Sequence, residues 1–287
     1  MHYKKVKGIL SAENGMNLYR GCTHGCIYCD SRSRCYQINH AFEDIEIKEN
    51  AIELLENKLK SKRKKCIIRT GAMTDPYIHL EKDLKMTRQA LEVIYRYGFG
   101  VSVQTKSARI LNDIDILKKI NERAKTTVEM TLTTSDEDLC KILEPNVSTT
   151  KERVEVLKRF HQEGIDTVVW ISPILPFIND TLDNIKQLMN YVIESKVKAI
   201  IFFGIGVTLR EGNREYYYKK LDEHFPGLKE KYIKTFGNAY ECRSPNHKML
   251  YDYVIETCKK HNIMYNPNEV FKFIGTFPDK TKQLALF

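Results

Sequence analysis

The sequence has no long apolar segment. Its longest apolar run, 199–209, contains two glycines and is far shorter than the roughly 20 residues that a membrane helix needs. No apolar stretch follows the first residues, Met1–Lys5, so no signal peptide is visible. We therefore expect a protein without a membrane anchor in the reducing cytoplasm, where clustered cysteines indicate metal binding or catalysis more often than disulfides.

Low-complexity segments and linkers rich in proline, glycine or serine are also absent. The 287 residues suit one large domain or two small ones, and 42% hydrophobic with 29% charged residues excludes a disordered or fibrous chain. Without a convincing boundary, we predict a barrel core over 1–210, a C-terminal helical cap of the same domain over 211–275 and a flexible tail over 276–287.

Acidic residues are the minority among the charged ones. The 46 lysines and arginines exceed the 37 acidic residues, and the net charge of +9 favours polyanionic partners or anionic ligands. No DNA- or RNA-binding motif of a standard type is present. The densest basic stretch, Lys58–Lys65, holds five lysines and Arg63. It suits either a solvated helix end or a surface that attracts DNA phosphates.

Short β-branched runs alternate along the chain with longer segments of helical periodicity. The predicted strands are Met16–Arg20, Cys66–Thr70, Val101–Thr105, Thr127–Thr133, Thr167–Ile171 and Ala199–Gly204. The predicted helices are 49–59, 82–97, 110–121, 150–162, 182–195 and 245–260. This alternation predicts an α/β fold, a partial (β/α)6 TIM-type barrel of parallel strands with a C-terminal helical extension. Functional residues of such barrels lie on the loops after the strand C-termini.

Eight cysteines are more than a chain of this size usually needs, and three of them, Cys22, Cys26 and Cys29, are close together. Spacings of four and three residues let a short loop place three thiolates around one metal centre. Gly21 and Gly25 supply the permissive backbone that such a loop needs. The triplet follows the first predicted strand, at the end of the barrel where catalytic groups lie, and this placement favours a catalytic metal.

Three kinds of metal centre are compatible with the triplet. A zinc ion would need a fourth ligand, for which His24 or Cys35 could serve. A ferredoxin-type cluster would need four cysteines at its own, different spacing. A 4Fe–4S cluster held by three thiolates would leave one iron open, and an open coordination position marks a catalytic metal rather than a structural one.

The motif Cys-x-x-x-Cys-x-aromatic-Cys after the first strand of a six-stranded barrel resembles the signature of radical S-adenosylmethionine (SAM) enzymes. The resemblance implies that Cys22, Cys26 and Cys29 ligate a 4Fe–4S cluster whose open iron is chelated by the amino and carboxylate groups of SAM. It also implies reductive cleavage of SAM to methionine and a 5′-deoxyadenosyl radical that abstracts a substrate hydrogen. A reductant such as flavodoxin or ferredoxin would supply the electron that the cluster needs for this cleavage.

Further segments between Leu18 and Arg210 look like one subfamily, the spore photoproduct lyase-like group of DNA repair photolyases. These segments are 69–77, 105–107, 143–145 with 152–153, and 171–176. The resemblance implies a set of SAM contacts: the backbone of Tyr28 at the adenine, Gly71, Met73, Thr74 and Asp75 at the amino group, Lys106 at the carboxylate, Thr131 and Thr133 through their hydroxyls, and Ser172 at the adenosine. The other interpretation of Asp75 is a turn before Pro76. Glu144 and Arg153 could pair with each other for structure alone.

Two positions depart from the lyase pattern, and both belong to the return of a hydrogen atom. The lyase has a cysteine in the segment after the second strand, where this chain has Gly71-Ala72-Met73. It has a tyrosine after the third cluster cysteine, where this chain has Asp30. The resemblance therefore implies radical initiation without the lyase's own hydrogen-return residues. Cys140 or Cys242 could donate the hydrogen atom or be an ordinary thiol.

On this resemblance we predict a lyase-like radical SAM enzyme that acts on DNA or a nucleotide in damage processing. Two alternatives stay open: the same chemistry on a peptide or small metabolite, and a non-enzymatic zinc-binding nucleic-acid module. The last five residues resemble the pentapeptide by which bacterial DNA-processing proteins bind the sliding clamp, with Gln283, Leu284, Leu286 and Phe287 as contacts. A tail packed on its own domain is the other interpretation.

Overall fold

A computed structural model describes residues 1–278 and gives the bounds of each element. The strands are β1 (His2–Lys4), β2 (Gly15–Met16), β3 (Tyr19–Arg20), β4 (Glu46–Lys48), β5 (Ile67–Thr70), β6 (Gly100–Thr105), β7 (Thr126–Thr131), β8 (Asp166–Trp170), β9 (Ala199–Ile201), β10 (Gly206–Thr208) and β11 (Glu241–Arg243). The α-helices are α1 (Ala51–Ser61), α2 (Glu81–Leu84), α3 (Met86–Arg96), α4 (Ile114–Arg123), α5 (Glu137–Leu143), α6 (Thr150–Gln162), α7 (Leu182–Glu194), α8 (Asn213–His224), α9 (Leu228–Phe236), α10 (His247–Lys260) and α11 (Pro267–Gly275).

Six parallel strands form the central sheet in the order β2-β5-β6-β7-β8-β9. Each strand is followed by one or more helices before the next, as right-handed crossovers between parallel strands require. The edge strands β2 and β9 do not pair with each other in the described part of the chain, so the sheet is an open barrel. The predicted α/β partial barrel is thereby confirmed.

The first predicted strand, Met16–Arg20, is wrong as a single element. Its first part is β2, at the edge of the central sheet, whereas its last part is β3. Strand β3 runs antiparallel to β4, and β4 runs parallel to β1, so these three strands form a separate small sheet. The other predicted strands are present, with ends that differ from the prediction by at most three residues.

Local backbone conformation explains where the helices depart from the sequence pattern. The predicted helix 82–97 is divided into α2 and α3 because Lys85 has the left-handed φ of 50°. The predicted helix 150–162 matches α6, which begins with a capping box in which Thr149 and Glu152 bond each other's backbone N–H. Such reciprocal capping satisfies two amide groups that the first helical turn leaves free.

The C-terminal elements close the barrel from one side. Helix α11 packs Val270 and Ile274 against Val168, Ala199 and Ile201 of β8 and β9. A cavity of about 250 Å³ remains between α11 and the central strands. Strand β10, which follows the last barrel strand, pairs antiparallel with β11 to form a separate two-stranded sheet. No helix within residues 1–278 is long and apolar enough to cross a membrane.

The two ends of the parallel strands differ in what they carry. One end carries the segments that follow strand C-termini. These are the cysteine triplet and the segments 71–77, 105–107 and 171–176. The basic stretch Lys58–Lys65 spans the end of α1 and the turn before β5, at the strand N-termini. Of its two interpretations, the solvated helix end fits this placement, because the stretch lies at the opposite end from the cysteines.

Candidate functional site

The three cysteines of the triplet lie on the loop after β3. Cys22 and Cys26 are each 7% exposed, and Cys29 is half-buried. Burial, together with the nearby negative charges of Asp75 and Cys29, raises the pKa of Cys22 to about 12. Burial raises the pKa of Cys26 as well. Buried thiols of this kind ionise when a cation binds them, so the donor set fits a thiolate-held metal centre.

The three thiols lie farther apart than the ligands of one metal ion would. Four sulfur ligands around one zinc at 2.3 Å lie about 3.8 Å from one another. Among the described residues, the one group that brings three ligand atoms within 4.8 Å of each other is His2, His40 and Glu46, which lies outside this loop. The triplet is therefore more widely spaced than a single ion needs, even with His24 included. A multi-iron cluster suits that spacing.

Neither rival ligand for zinc completes the triplet. The exposed Cys35 accepts a hydrogen bond from Arg210 Nη1 at 3.4 Å. His24 is buried, and its Nδ1 lies 3.4 Å from Asp75 Oδ2. Its Nε2 is also buried and has no hydrogen-bond partner within residues 1–278. His24 thus connects the cysteine loop to the loop after β5.

Asp75 connects three loops at the strand ends. Its Oδ1 accepts hydrogen bonds from Tyr77 N at 2.8 Å and from Thr105 Oγ1 at 2.7 Å, and its Oδ2 accepts one from Lys106 N at 2.8 Å. The sequence allowed two interpretations of Asp75, a contact to the SAM amino group and a turn before Pro76. The bond from Tyr77 N shows that its carboxylate already shapes this turn. Its bonds hold the end of β6 and the cysteine loop in a common position.

Gly71 lets the loop after β5 pass close to β6. Its φ is +102°, and a Cβ added to it would lie 1.9 Å from the carbonyl oxygen of Gln104. A side chain would therefore meet backbone that cannot move aside, in a conformation that L-residues rarely adopt. The following residues, Ala72 and Met73, line the cleft described below.

A buried ion pair lies behind the third cluster cysteine. Arg153 bonds the Glu144 carboxylate, and Tyr28 donates its hydroxyl proton to the same carboxylate. Burial alone would raise the pKa of Glu144, but the charges of Arg153 and Lys106 outweigh it and the pKa is lowered. Burial likewise opposes ionisation of Lys106, yet the charges of Cys26 and Glu144 raise its pKa. Glu144 therefore stays ionised and Lys106 stays cationic.

A cleft of about 430 Å³ opens at this end of the barrel. Six of the residues predicted from the sequence line it: Cys26, Tyr28, Cys29, Met73, Lys106 and Ser172. The other predicted residues are not among the lining residues: Cys22, Gly71, Thr74, Asp75, Thr131 and Thr133. Thr131 and Thr133 are both buried, and within residues 1–278 the Thr133 hydroxyl has no hydrogen-bond partner. The structure thus brings half of the predicted set to one surface and does not bring the other half to it.

Sequence reasoning missed an aromatic wall formed by Trp170, Phe203 and Phe271, of which Trp170 and Phe203 line the cleft and Phe271 packs against both. Phe203 is 57% exposed and stacks on Phe271 with ring centroids 6.3 Å apart and planes inclined by 21°. The Trp170 ring lies 6.1 Å from each of the two phenylalanines. Trp170 ends β8 and Phe203 follows β9, so the rule that function lies after strand C-termini could have identified both.

Tyr36 also lines the cleft and was not identified from the sequence. Its hydroxyl donates a hydrogen bond to Asp30 Oδ2 at 2.7 Å. Burial and this carboxylate raise the pKa of Tyr36 to about 12. Asp30, the residue that departs from the lyase pattern, therefore holds a phenol at the cleft wall.

The aromatic wall is supported by a buried carboxylate, Glu129. It accepts hydrogen bonds from Ser102 Oγ at 2.6 Å and from Trp170 Nε1 at 2.7 Å. These bonds cross β6, β7 and β8 and orient the indole. Burial raises the pKa of Glu129, with the two hydrogen bonds opposing that rise.

Replacing Glu129 with glutamine is expected to stabilise the chain at alkaline pH. A carboxyl group whose pKa is raised by folding loses stability as the pH rises from its unfolded value of about 4.3 through the folded value. Glutamine keeps both contacts and does not ionise. The thermal midpoint of Glu129→Gln relative to wild type should rise between pH 5 and pH 8. The exposed Glu194→Gln serves as control; a difference that is constant with pH would contradict the prediction.

The predicted contacts of the sliding clamp, Gln283, Leu284, Leu286 and Phe287, lie outside the described residues. None of the comparisons below supports a clamp.

An open parallel barrel with a cysteine triplet and a cleft at one end of its strands fits an enzyme that holds a metal cluster. The chain belongs to the radical SAM superfamily, whose family model matches residues 16–192. Its cofactors are a 4Fe–4S cluster and S-adenosylmethionine. This membership establishes a 4Fe–4S cluster as a cofactor, whereas its ligation by Cys22, Cys26 and Cys29 stays a prediction.

Known proteins are similar to this chain in sequence or in fold. The uncharacterized protein MJ0683 of Methanocaldococcus jannaschii is 30% identical over 258 residues, 89% of each chain. A mutant of spore photoproduct lyase with bound AdoMet and dinucleoside spore photoproduct matches with a TM-score of 0.61 at 15% identity, covering 88% of this chain and 74% of the other. Streptococcus suis SuiB bound to precursor peptide SuiA matches with a TM-score of 0.51 at 13% identity, covering 88% and 47%. The two structures are similar in fold.

Proposed function

We propose that this radical SAM enzyme abstracts a hydrogen atom from DNA or a nucleotide, in a reaction related to that of spore photoproduct lyase. The observation that carries the proposal is the aromatic wall. It presents an exposed ring, Phe203, inside the cleft that Cys26, Cys29 and Lys106 also line. The likeness to a lyase structure that holds a dinucleoside photoproduct agrees with this substrate class.

Cys22, Cys26 and Cys29 would hold the cluster, which supplies reductive cleavage of SAM when bound. Their loop is fixed from outside by Cys22 N, which donates to Phe42 O at 3.1 Å, and by Ile27 N, which donates to Leu143 O at 3.0 Å. Cys22 and Cys26 are buried, so protein surrounds two of the three ligands, while Cys29 is half-buried. This burial would limit the access of water to the reactive centre, as radical chemistry requires.

The predicted SAM-binding residues would divide into two groups. Those that line the cleft would touch SAM: Tyr28, Met73, Lys106 and Ser172. Those that do not line it would position the contacting groups: Gly71, Thr74, Asp75, Thr131 and Thr133. In this division Asp75 holds the backbone of Lys106, because Lys106 N donates a hydrogen bond to its carboxylate. The Thr74 hydroxyl donates a hydrogen bond to the Tyr19 carbonyl oxygen at 3.3 Å.

The aromatic wall would bind a planar base by stacking. A nucleobase of any identity offers a π-face, and stacking on an aromatic side chain contributes about 1–3 kcal/mol per base. Arg243 and His247 line the same cleft and place polar and cationic groups within reach of a sugar–phosphate backbone. The net charge of +9 would add salt-dependent attraction of the whole chain to DNA.

Replacing Phe203 with alanine is expected to weaken binding of a short thymine-containing DNA strand by about 5- to 150-fold, the equivalent of one stacked base. Fluorescence anisotropy at several salt concentrations measures this, using the cluster-loaded chain with SAM present. Ile233→Ala, which shortens another exposed apolar side chain (49%) on α9, should leave the affinity unchanged. Equal affinity for Phe203→Ala and wild type would contradict the stacking assignment.

Anaerobic turnover with deuterated substrates tests the proposed function directly. Oligonucleotides deuterated on the thymine methyl group or on the sugar are offered beside a deuterated peptide mixture, and 5′-deoxyadenosine is analysed by mass spectrometry. Transfer of deuterium from an oligonucleotide supports the proposal. Transfer from the peptides alone would contradict it and favour the peptide alternative.

Replacing Lys106 with methionine is expected to weaken SAM binding by about 10- to 150-fold. The side chain lies in the cleft, and a charge-assisted hydrogen bond contributes about 1.5–3 kcal/mol. Equilibrium dialysis of labelled SAM against the cluster-loaded chain gives the dissociation constant. Lys106→Arg should recover part of the affinity, because it keeps the charge. Wild-type affinity in Lys106→Met would remove Lys106 from the SAM site.

A further inference from the structure

A second group of metal-binding side chains lies in the small sheet and the loop before β4. It consists of His2 on β1, His40 and Glu46, and each offers a ligand atom within 4.8 Å of the other two. The rings of His2 and His40 meet edge to face, with centroids 4.9 Å apart. His2 Nε2 lies 3.8 Å from Glu46 Oε2. Two imidazoles and a carboxylate are a ligand set that zinc prefers.

The hydrogen bonds of the two imidazoles orient them as ligands. His2 Nδ1 lies 3.0 Å from Asp44 Oδ2, and His40 Nδ1 lies 2.9 Å from the carbonyl oxygen of Ala41. Carboxylate and carbonyl oxygens only accept, so each Nδ1 carries the proton and each neutral ring keeps its lone pair on Nε2. Metal-bound histidines are held by the same kind of outer bond.

His40 Nε2 is buried and has no hydrogen-bond partner within residues 1–278. A buried polar atom without a partner costs free energy, so such atoms are rare unless a water or an ion binds them. Glu46 is itself 4% exposed, and its Oε2 accepts a hydrogen bond from Lys4 Nζ at 3.0 Å. The Lys4 side chain is 56% exposed and can turn to solvent when a cation takes its place.

From these observations we propose that His2, His40 and Glu46 bind a divalent zinc ion, at a site separate from the iron–sulfur cluster. Water would complete the coordination. The ion would join β1 to the segment that connects the cysteine loop with β4. Its role would be to stabilise the small sheet, independent of the substrate proposed above.

The test uses the full chain without an added tag, because the amino group of Met1 lies 2.7 Å from Asp44. The anaerobically cluster-loaded chain is dialysed against zinc, and bound iron and zinc are measured by mass spectrometry. We expect one zinc per chain beyond the iron of the cluster. His40→Ala and Glu46→Gln should each weaken zinc binding by more than about tenfold, with iron content unchanged, because each removes a first-sphere ligand.

Two controls make the outcome decisive. His261→Ala removes another histidine, on the exposed turn after α10, and should keep the zinc. X-ray absorption at the zinc edge of the wild-type chain should show nitrogen and oxygen ligands near 2.0 Å with no sulfur near 2.3 Å, whatever the stability of the variants. Sulfur ligation, or zinc retained in His40→Ala, would overturn the proposal, as would the absence of bound zinc.

Discussion

Cys26→Ala is expected to abolish both the iron–sulfur cluster and SAM cleavage. Cys26 is buried, lines the cleft and lies near Lys106, so its thiol has no substitute among the groups around it. With two thiolates left, the loop cannot hold a cluster whose fourth iron is already open. Iron should fall from about four per chain to near zero, with loss of the brown absorption. 5′-Deoxyadenosine formation under reductant should fall to the background without protein.

Cys258→Ala is the matched control, since Cys258 is also a buried cysteine but lies in α10, away from the cleft. It should keep full iron content and SAM cleavage. Circular dichroism of both variants separates cluster loss from unfolding. SAM cleavage retained in Cys26→Ala would contradict the assignment of the ligands, and loss of iron in Cys258→Ala would show that the effect is not specific to the triplet.

Arg153→Met is expected to cost about 3–5 kcal/mol of unfolding free energy, because it leaves a buried carboxylate without its partner. Arg153 and Glu144 are both fully buried. The guanidinium also donates to Ser148 O at 2.7 Å and to Thr131 O at 2.9 Å, so its loss frees two further acceptors. Urea unfolding measures the change. Because Tyr28 bonds the same Glu144, SAM binding should weaken in parallel.

Two controls test whether the uncompensated charge is the cause. The double variant Glu144→Gln/Arg153→Met removes both charges and should recover a large part of the lost stability. Arg96→Met breaks the exposed pair with Glu56, 2.8 Å apart, and should cost under about 1 kcal/mol. If the double variant is no more stable than Arg153→Met, the lost hydrogen bonds rather than the charge account for the effect.

Periodicity predicted the barrel because each strand and helix of the central sheet buries residues that are local in sequence. β6 and β7 are nearly continuous buried runs in which three and four of the six residues are β-branched. α6 has its apolar face at helical spacing and its own cap. Those signals do not depend on the rest of the fold. The division at Lys85 was not predictable in this way, because lysine is a good helix former and its positive φ is imposed by the chain around it.

The candidate site was predicted in part for the same reason. Its contiguous parts, the cysteine triplet and the segment around Asp75, are visible as motifs. The boundaries at 210 and 275, the SAM contacts and the clamp remain predictions. The aromatic wall joins Trp170, Phe203 and Phe271 from three distant segments, and none of them is distinctive alone. His2, His40 and Glu46 likewise come from separate parts of the sequence, and none of them is distinctive alone.

The sequence by itself brought three candidate metal ligands together, since three cysteines within eight residues are already held together by the covalent chain. It also determined the α/β barrel, because hydrophobic periodicity is a local property. Only the tertiary structure decided which predicted residues face the cleft, that Asp75 is saturated by structural bonds, and which aromatic rings form its wall. Those contacts join residues that are far apart in the sequence and become neighbours where adjacent strands end. A single sequence does not directly record which of its distant residues lie close in space.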